Sequence, residues 1–106
     1  MDSINLDHLQ ALCRAGNIIW SDHVMKRLFQ RNISRDSVKS CIMSGEIIEE
    51  YPDDYPYPSC LVFGLSVDGK VLHVVVGEGA GKAWIITAYW PDPNKWDETL
   101  KIRKER

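Results

Sequence analysis

The chain has 106 residues, of which 44% are hydrophobic and 26% are charged, and its formal net charge is −2 at pH 7. This length and composition predict one soluble globular domain with its own core, and no apolar run approaches the roughly 20 residues that a membrane helix requires. The net charge is negative, whereas most nucleic-acid-binding domains are basic.

Three short helices are predicted in the first part of the chain. The first runs from about Ile4 to Arg14, where apolar residues recur at steps of three and four. The second begins after Ser21, whose hydroxyl can cap the helix, and it ends at Asn32. The third begins after a second capping serine, Ser34, and ends at Gly45, which is predicted to adopt the left-handed conformation of a helix terminator.

From Glu46 onward the pattern changes to strands joined by short turns. The dipeptide at residues 68–69, Asp-Gly, predicts a tight hairpin, because both turn residues of such a hairpin must tolerate a positive φ. The segment 52–58 contains three prolines and is predicted to be a loop. Helices followed by a meander predict a single α+β domain over residues 1–106, with the N-terminal helices packed on one face of a four-stranded antiparallel sheet. The four predicted strands are Glu46 to Tyr51, Cys60 to Val67, Lys70 to Gly77, and Ala83 to Trp90.

Alternation along the last three strands divides their side chains between two faces of the sheet. Three sets are apolar throughout and are predicted to lie under the helices: Leu61, Phe63, Leu65; Leu72, Val74, Val76; and Trp84, Ile86, Ala88, Trp90. On the other face, His73 is predicted to lie opposite Thr87, with Tyr89 beside them, if the loop between the last two strands has an odd number of residues. His73 is then either a binding or catalytic group or a hydrogen-bonded histidine of an ordinary sheet.

His23, Arg27 and Arg31 are spaced four apart, so they lie along one edge of the second helix. The arginines can donate to a phosphate group. Such a set could cleave a phosphodiester, with the histidine as general base and the arginines stabilising negative charge on phosphorus. The alternative is that His23 packs locally and the arginines are solvated.

The three cysteines, Cys13, Cys41 and Cys60, are far apart and form no Cys-x-x-Cys pair, so they predict reduced core thiols rather than a metal or redox site. Free thiols and the absence of a signal-peptide pattern at the start of the chain favour a cytoplasmic location. No metal ion or cofactor is predicted.

Several motifs resemble those of a bacterial family of small proteins named only as a domain of unknown function. The resemblance extends from Trp20 to the end of the chain. The motifs are S-x-H-x-x-x-R-x-x-x-R-x-I-S at residues 21–34, S-G-E-I-I-E-x-Y-P-D-D at 44–54, P-S-C-L-V at 58–62, L-H-V-V-V at 72–76 and Y-x-P-D-P-x-K-W at 89–96.

That family in turn resembles RelE-like proteins of the barnase/EndoU/colicin/RelE ribonuclease fold, in which N-terminal helices pack on an antiparallel sheet. The resemblance implies a toxin of a type II toxin–antitoxin system that cuts RNA without a metal ion, paired with a zinc-finger or helix-turn-helix antitoxin. Under this hypothesis the catalytic residues are His23, His73 and Tyr89, and the substrate-binding residues are Arg27, Arg31 and Thr87. The alternative is a non-catalytic protein-interaction module that uses the exposed sheet face and the loop at residues 52–58.

Overall fold

The computed structural model describes residues 4–104, which form three α-helices and five β-strands. The elements are α1 (Leu6–Arg14), β1 (Ile18–Ile19), α2 (Asp22–Gln30), α3 (Arg35–Ser44), β2 (Glu46–Tyr51), β3 (Ser59–Leu65), β4 (Val71–Gly79) and β5 (Lys82–Tyr89). The strand order is β1-β5-β4-β3-β2. The α+β class is therefore as predicted, and the three helices precede strands β2 to β5.

The predicted number of strands was wrong, because the sheet has five strands and is mixed. The additional strand, β1, runs parallel to β5, with Ile18 opposite Ala83 and Ile19 opposite Trp84. All other neighbouring strands are antiparallel. A strand of two residues is too short to show an alternating pattern, and its partner is more than 60 residues away, so no local signal indicated it.

Both predicted serine caps are present. The Ser21 hydroxyl accepts a hydrogen bond from the Val24 amide at 3.1 Å, and the Ser34 hydroxyl accepts one from the Ser37 amide at 3.0 Å. Each bond satisfies an amide that the first turn of the helix leaves without a partner. The starts of α2 and α3 are thus determined by local chemistry that is visible in the sequence.

The predicted conformation of Gly45 was wrong, since its φ of −100° and ψ of −172° are extended rather than left-handed. The chain passes directly from α3 into β2 at this residue, so no reversing turn is needed. Its lack of a side chain serves packing, because a Cβ atom at Gly45 would lie only 2.5 Å from the carbonyl oxygens of Cys41 and Phe63.

The hairpin predicted at Asp68-Gly69 is present, but its loop is longer than the two residues expected. Only Gly69 of the pair has a positive φ, at 78°. Its amide donates to the Ser66 carbonyl at 3.0 Å, and the Ser66 amide donates to the Lys70 carbonyl at 2.8 Å. This is a three-residue loop with glycine in the left-handed position.

The turn with two positive φ angles lies instead between β4 and β5, at Ala80 (54°) and Gly81 (71°). The predicted pairing of His73 with Thr87 was wrong. With a two-residue loop a regular ladder would place His73 opposite Ala88, but a one-residue shift in β5 places it opposite Tyr89, and Thr87 opposite Val75. His73, Thr87 and Tyr89 still share one face, as predicted.

A β-bulge in β5 redistributes its side chains between the two faces. The register shifts by one residue between Val75, which pairs with Thr87, and Val76, which pairs with Ile85. Ala83, Ile85 and Ala88 are therefore the residues of β5 that enter the core under the helices. The predicted core positions of Trp84, Ile86 and Trp90 were wrong, and Ile86 and Trp90 are exposed.

The face assigned to β3 was also wrong. Cys60 and Val62 belong to the core under the helices, whereas Phe63 pairs with His73 on the opposite face, with Leu61 and Leu65 on either side of it. Gly64 explains the error, because α3 lies directly on it: a Cβ atom there would be 2.8 Å from the carbonyl carbon of Cys41. Glycine has no apolar side chain, so the face of β3 that contains Gly64 appeared less apolar than the other face, although it is the face that packs against α3.

The core under the helices comprises residues from all three helices and from β3, β4 and β5. Its buried members are Leu9, Leu12, Cys13, Val24, Leu28, Ile33, Val38, Cys41, Ile42, Cys60, Val62, Leu72, Val74, Val76, Ala83, Ile85 and Ala88. As predicted, the three cysteines are buried and free. Burial raises the pKa of Cys41 and that of Cys60 to about 12, so both thiols stay protonated.

Residues 91–104, here called the C-terminal segment, cover one end of the other sheet face. Trp96 is buried there against the His73 ring, with ring centroids 4.6 Å apart, and the Leu100 carbonyl accepts a hydrogen bond from His73 at 2.7 Å. The segment turns back on itself, and Trp96 pairs with Arg103 in an antiparallel bridge. The sheet is thus packed on both faces at the His73 end. Over residues 4–104, none of the helices has the length and apolar character that crossing a membrane demands.

Candidate functional site

A half-open cavity of about 530 Å³, here called the basic cavity, lies where the C-terminal segment meets β5. It is lined by Arg31, Thr87, Tyr89, Trp90, Asp92, Lys95, Trp96 and Arg103. Three cationic side chains face one carboxylate, so the lining carries net positive charge although the whole chain is acidic. Three predicted site residues meet here, together with basic residues of the C-terminal segment that the prediction did not include.

Arg31 connects the end of α2 to β5. Its Nη1 donates to the Thr87 hydroxyl at 3.0 Å and to the Ala88 carbonyl at 2.9 Å, while the Trp90 indole donates to the Arg31 carbonyl at 2.8 Å. β1 pairs only with Ala83 and Trp84 of β5. Further along β5, these contacts attach the end of α2 to the strand. Both side-chain bonds use one nitrogen, so the other guanidinium nitrogens remain able to donate to a ligand.

His73 is fully buried, and its two ring nitrogens have different partners. Nε2 lies 2.7 Å from the Leu100 carbonyl oxygen, and Nδ1 lies 3.3 Å from the Tyr89 hydroxyl. A carbonyl oxygen can only accept, so we assign the proton to Nε2; in a neutral ring, Nδ1 then accepts from Tyr89.

The protonation of this pair follows from its surroundings. Burial lowers the pKa of His73 below its ordinary 6.5, although the Leu100 carbonyl and the Glu49 carboxylate oppose the shift. Burial likewise raises the pKa of Tyr89. Near pH 7 the site therefore contains a neutral imidazole and a protonated phenol.

Arg103 is held at the cavity by a two-point ion pair with Glu49. Its Nε and Nη2 donate to the two carboxylate oxygens at 2.8 and 3.1 Å, and its guanidinium stacks 4.6 Å from the centre of the Trp96 ring. The Tyr51 hydroxyl donates to the same carboxylate at 2.6 Å. Burial of the carboxylate opposes ionisation, but Arg103 and Tyr51 together lower the pKa of Glu49. The position of Arg103 is thus determined by β2 and not by its own segment alone.

His23 and Arg27 lie outside the basic cavity. His23 is exposed at the start of α2 and lines a second, more apolar cavity of about 380 Å³, here called the aromatic cavity. Arg27 is exposed and lines neither cavity. The structure therefore brings Arg31, Thr87 and Tyr89 together above His73 and places the other two predicted residues elsewhere.

The aromatic cavity lies beside the proline-rich loop. Tyr57 and Trp84 form its tilted aromatic wall, with ring centroids 5.4 Å apart, and Tyr55 and Ile86 are exposed at its edge. The part of the chain that the structure describes contains no group of three His, Cys, Asp or Glu side chains arranged to hold a metal ion.

Residues 20–90 match the model of a protein family described as a domain of unknown function (DUF4258). The chain belongs to this family. The DUF4258 match begins just before α2 and ends just after β5, so it includes Arg31, Thr87, Tyr89 and Trp90, whereas Lys95 and Arg103 lie beyond it. Searches of curated proteins and of solved structures gave no match.

The neutral, buried state of His73 predicts a dependence of stability on pH. Its pKa in the folded DUF4258 protein lies below the ordinary 6.5, so in acid the unfolded chain binds a proton that the folded chain does not. We expect the His73 contribution to stability to be complete above pH 6.5 and lost as the pH falls toward the folded-state pKa, with a slope of at most about 1.4 kcal/mol per pH unit. Urea unfolding between pH 5 and 7.5 measures this slope.

A matched pair of histidine variants isolates the effect. In His73→Leu the slope should be smaller by the contribution of one proton, whereas the exposed His23→Gln should retain it. Equal slopes in wild type and His73→Leu would show that His73 does not carry the effect.

Proposed function

We propose that this protein binds RNA in the basic cavity and cleaves its backbone without a metal ion, as a RelE-like toxin of a type II toxin–antitoxin system. The observation that supports the proposal is the basic cavity itself, where Arg31, Lys95 and Arg103 surround a space next to Tyr89 and Trp90. The motifs that resemble the RelE-like branch, and the packing of the helices on the opposite sheet face, agree with it.

The three cationic side chains can stabilise the negative charge that develops during phosphodiester cleavage. As the ribose 2′-oxygen attacks phosphorus, its proton passes to the Tyr89–His73 pair, the bond from phosphorus to the 5′-oxygen breaks, and water protonates the departing 5′-oxygen. Negative charge develops on the phosphoryl oxygens during this step, and donors already held in place stabilise it. Arg103 is oriented by Glu49, and Arg31 by Thr87 and Ala88, so neither must be ordered when the ligand binds. Lys95 is exposed and adds a third positive charge to the cavity.

Trp90 can provide contact with a base. It is 37% exposed, and its indole nitrogen is already bonded to the Arg31 carbonyl, so the ring is held while its surface remains open. Stacking of an unpaired base on an aromatic ring contributes about 1–3 kcal/mol and tolerates any sequence. Single-stranded RNA is therefore the proposed substrate.

The proposal assigns roles by position. Arg31 and Thr87 bind the substrate, Tyr89 contacts it, and His73, which is buried, acts only through Tyr89. His23 and Arg27 have no role in this cavity. Expression of the protein in bacteria should arrest growth and lead to cleavage of RNA. If the intact, folded protein produced neither effect, that result would contradict the ribonuclease proposal.

Replacing Lys95 with glutamine tests the phosphate contact. We expect weaker binding of single-stranded RNA and a salt dependence of log Kd reduced by about one, as for one lost phosphate contact. Fluorescence anisotropy with a labelled oligonucleotide at several salt concentrations measures both. The matched control is Lys39→Gln on α3, whose lysine is also exposed and lies outside the cavity. Equal losses in the two variants would indicate binding by general charge and not by this cavity.

A second candidate function, a protein-interaction module, is favoured by the aromatic cavity. Tyr55 is 91% exposed and Ile86 is 42% exposed beside it, and such apolar surface commonly marks contact with a protein partner. This function predicts a complex with the product of a neighbouring gene that Tyr55→Ser weakens and Lys95→Gln does not. The reverse pattern would favour the RNA site.

A further inference from the structure

Tyr89 lies between the basic cavity and the buried imidazole of His73. It lines the cavity and is half-buried, and its hydroxyl contacts His73 Nδ1 at 3.3 Å. The imidazole is held in turn by the Leu100 carbonyl at 2.7 Å. A main-chain carbonyl of the C-terminal segment is thus connected through two side chains to the cavity.

We infer that Tyr89 is the residue by which the basic cavity distinguishes RNA from DNA, because its oxygen is held as a hydrogen-bond acceptor for a ribose 2′-hydroxyl. The inference rests on the proposed RNA-binding function and adds the basis of sugar specificity to it.

The direction of each hydrogen bond follows from the one before. The Leu100 carbonyl only accepts, so Nε2 of His73 donates to it. Nδ1 of the neutral ring then has a lone pair, and the Tyr89 hydroxyl donates its only proton to it. What Tyr89 can still offer to a ligand is lone pairs, which bind a group that donates.

Thr87 has the opposite polarity. Its oxygen accepts from Arg31 at 3.0 Å, so its own proton is free to donate to an acceptor such as a phosphate oxygen. Thr87 and Tyr89 are two residues apart on one strand face, roughly 7 Å between Cα atoms. The strand therefore presents a donor beside Arg31 for phosphate and an acceptor further along for a sugar hydroxyl.

A ribose 2′-hydroxyl can donate to Tyr89, whereas the 2′-hydrogen of DNA cannot. A 2′-O-methyl group also cannot donate, although its oxygen can still accept. A 2′-amino group can donate. If Tyr89 accepts a hydrogen bond, the cavity prefers 2′-groups that can donate one. A steric preference would instead depend on the size of the 2′-group.

The test is competition binding with four oligonucleotides of one sequence that differ only at the sugar: RNA, DNA, 2′-O-methyl RNA and 2′-amino RNA. The proposed activity would cleave only the RNA, so affinities are taken on ice before cleavage begins, and gel analysis of each mixture verifies that the oligonucleotide is still intact when it is measured. We expect RNA and 2′-amino RNA to bind roughly three- to tenfold tighter than DNA and 2′-O-methyl RNA, the effect of one hydrogen bond.

Two variants locate the effect. Tyr89→Phe should bring RNA affinity to that of DNA while leaving DNA affinity unchanged. His73→Leu keeps the phenol but removes the group that orients it, so the preference for RNA should fall even though Tyr89 is present. Nitrogen chemical shifts of His73 should show a neutral ring protonated at Nε2; a ring protonated at Nδ1 would overturn the inference.

The outcomes separate this inference from the function on which it rests. Wild-type protein that binds none of the four oligonucleotides contradicts the proposed RNA binding. Wild-type protein that binds all four equally, or a Tyr89→Phe variant that still prefers RNA, overturns the inference and leaves RNA binding in place.

Discussion

Replacing Trp96 with alanine is expected to lower the free energy of unfolding by about 3–5 kcal/mol, as for other buried large aromatic residues. Trp96 is only 3% exposed, although it lies in a segment without helix or strand. Its ring packs edge-on against His73, with ring centroids 4.6 Å apart, and the Arg103 guanidinium lies over the ring at 4.6 Å from its centre. No neighbouring group can fill the space that an indole leaves.

The measurement is urea unfolding followed by circular dichroism, with Trp90→Ala as the matched control. Trp90 is 37% exposed, so less of its ring is removed from water on folding and its loss should cost less. If the two variants were equally stable, the C-terminal segment would not belong to the cooperative unit of folding.

Trp96→Ala should also weaken the proposed RNA binding, because it releases the segment that carries Lys95 and Arg103. We expect the loss in Trp96→Ala to exceed that in Lys95→Gln, since several cavity residues are displaced and not one. A Trp96→Ala variant that is folded under the assay conditions and binds RNA at full affinity would show that the segment is not part of the site.

Gly64→Ala is the second substitution with a large expected effect. A methyl group at this position would meet the backbone of α3, with the Cys41 carbonyl carbon 2.8 Å and the Cys41 Cα 2.9 Å away. Backbone cannot turn aside as a side chain can, so α3 must move off the sheet and open the core beside it. We expect a destabilisation of about 3 kcal/mol, at the upper end of the usual cost of overpacking.

Gly77→Ala is the control, because it changes the same residue type in the neighbouring strand. There the nearest atom to the added Cβ would be the Pro58 carbonyl oxygen at 3.3 Å, a contact that a small shift relieves. Its cost should be about 1 kcal/mol or less. Thermal and urea unfolding of both variants measure the difference; equal costs would contradict the close packing of α3 on Gly64.

Local chemistry explains which predictions of the fold were correct. Ser21 and Ser34 begin helices because their hydroxyls bond amides three residues ahead, a contact that needs no distant partner. The strands β2 to β5 follow from alternation and turn residues, and the helices precede them in the chain. These features depend on segments shorter than about 10 residues.

The faces of the strands could not be predicted in the same way. A bulge at Ile86 moved Trp84 and Ile86 out of the core, and a glycine at position 64 concealed the helix-packed face of β3. A bulge shifts the register by one residue and so moves the side chains that follow it to the other face of the sheet. Whether it forms therefore depends on how those side chains pack against neighbouring strands and helices.

The candidate site was predicted in part for similar reasons. Arg31, Thr87 and Tyr89 of the predicted set line the basic cavity, whereas His23, which helical spacing and the family motif grouped with Arg27 and Arg31, lines the aromatic cavity. Lys95 stood within the last motif, next to Trp96, and that motif was the available signal for the C-terminal segment.

The sequence by itself determined the α+β class and the starts of α2 and α3, since each arises from short-range pattern or side-chain chemistry. Only the tertiary structure decided that Arg31 and Arg103 line one cavity and that His73 is buried in contact with the Tyr89 hydroxyl. Those relations depend on packing between segments up to 72 residues apart, such as Arg31 and Arg103. No local pattern encodes such packing, because its energy is gained only when the sheet, α2 and the C-terminal segment assemble together.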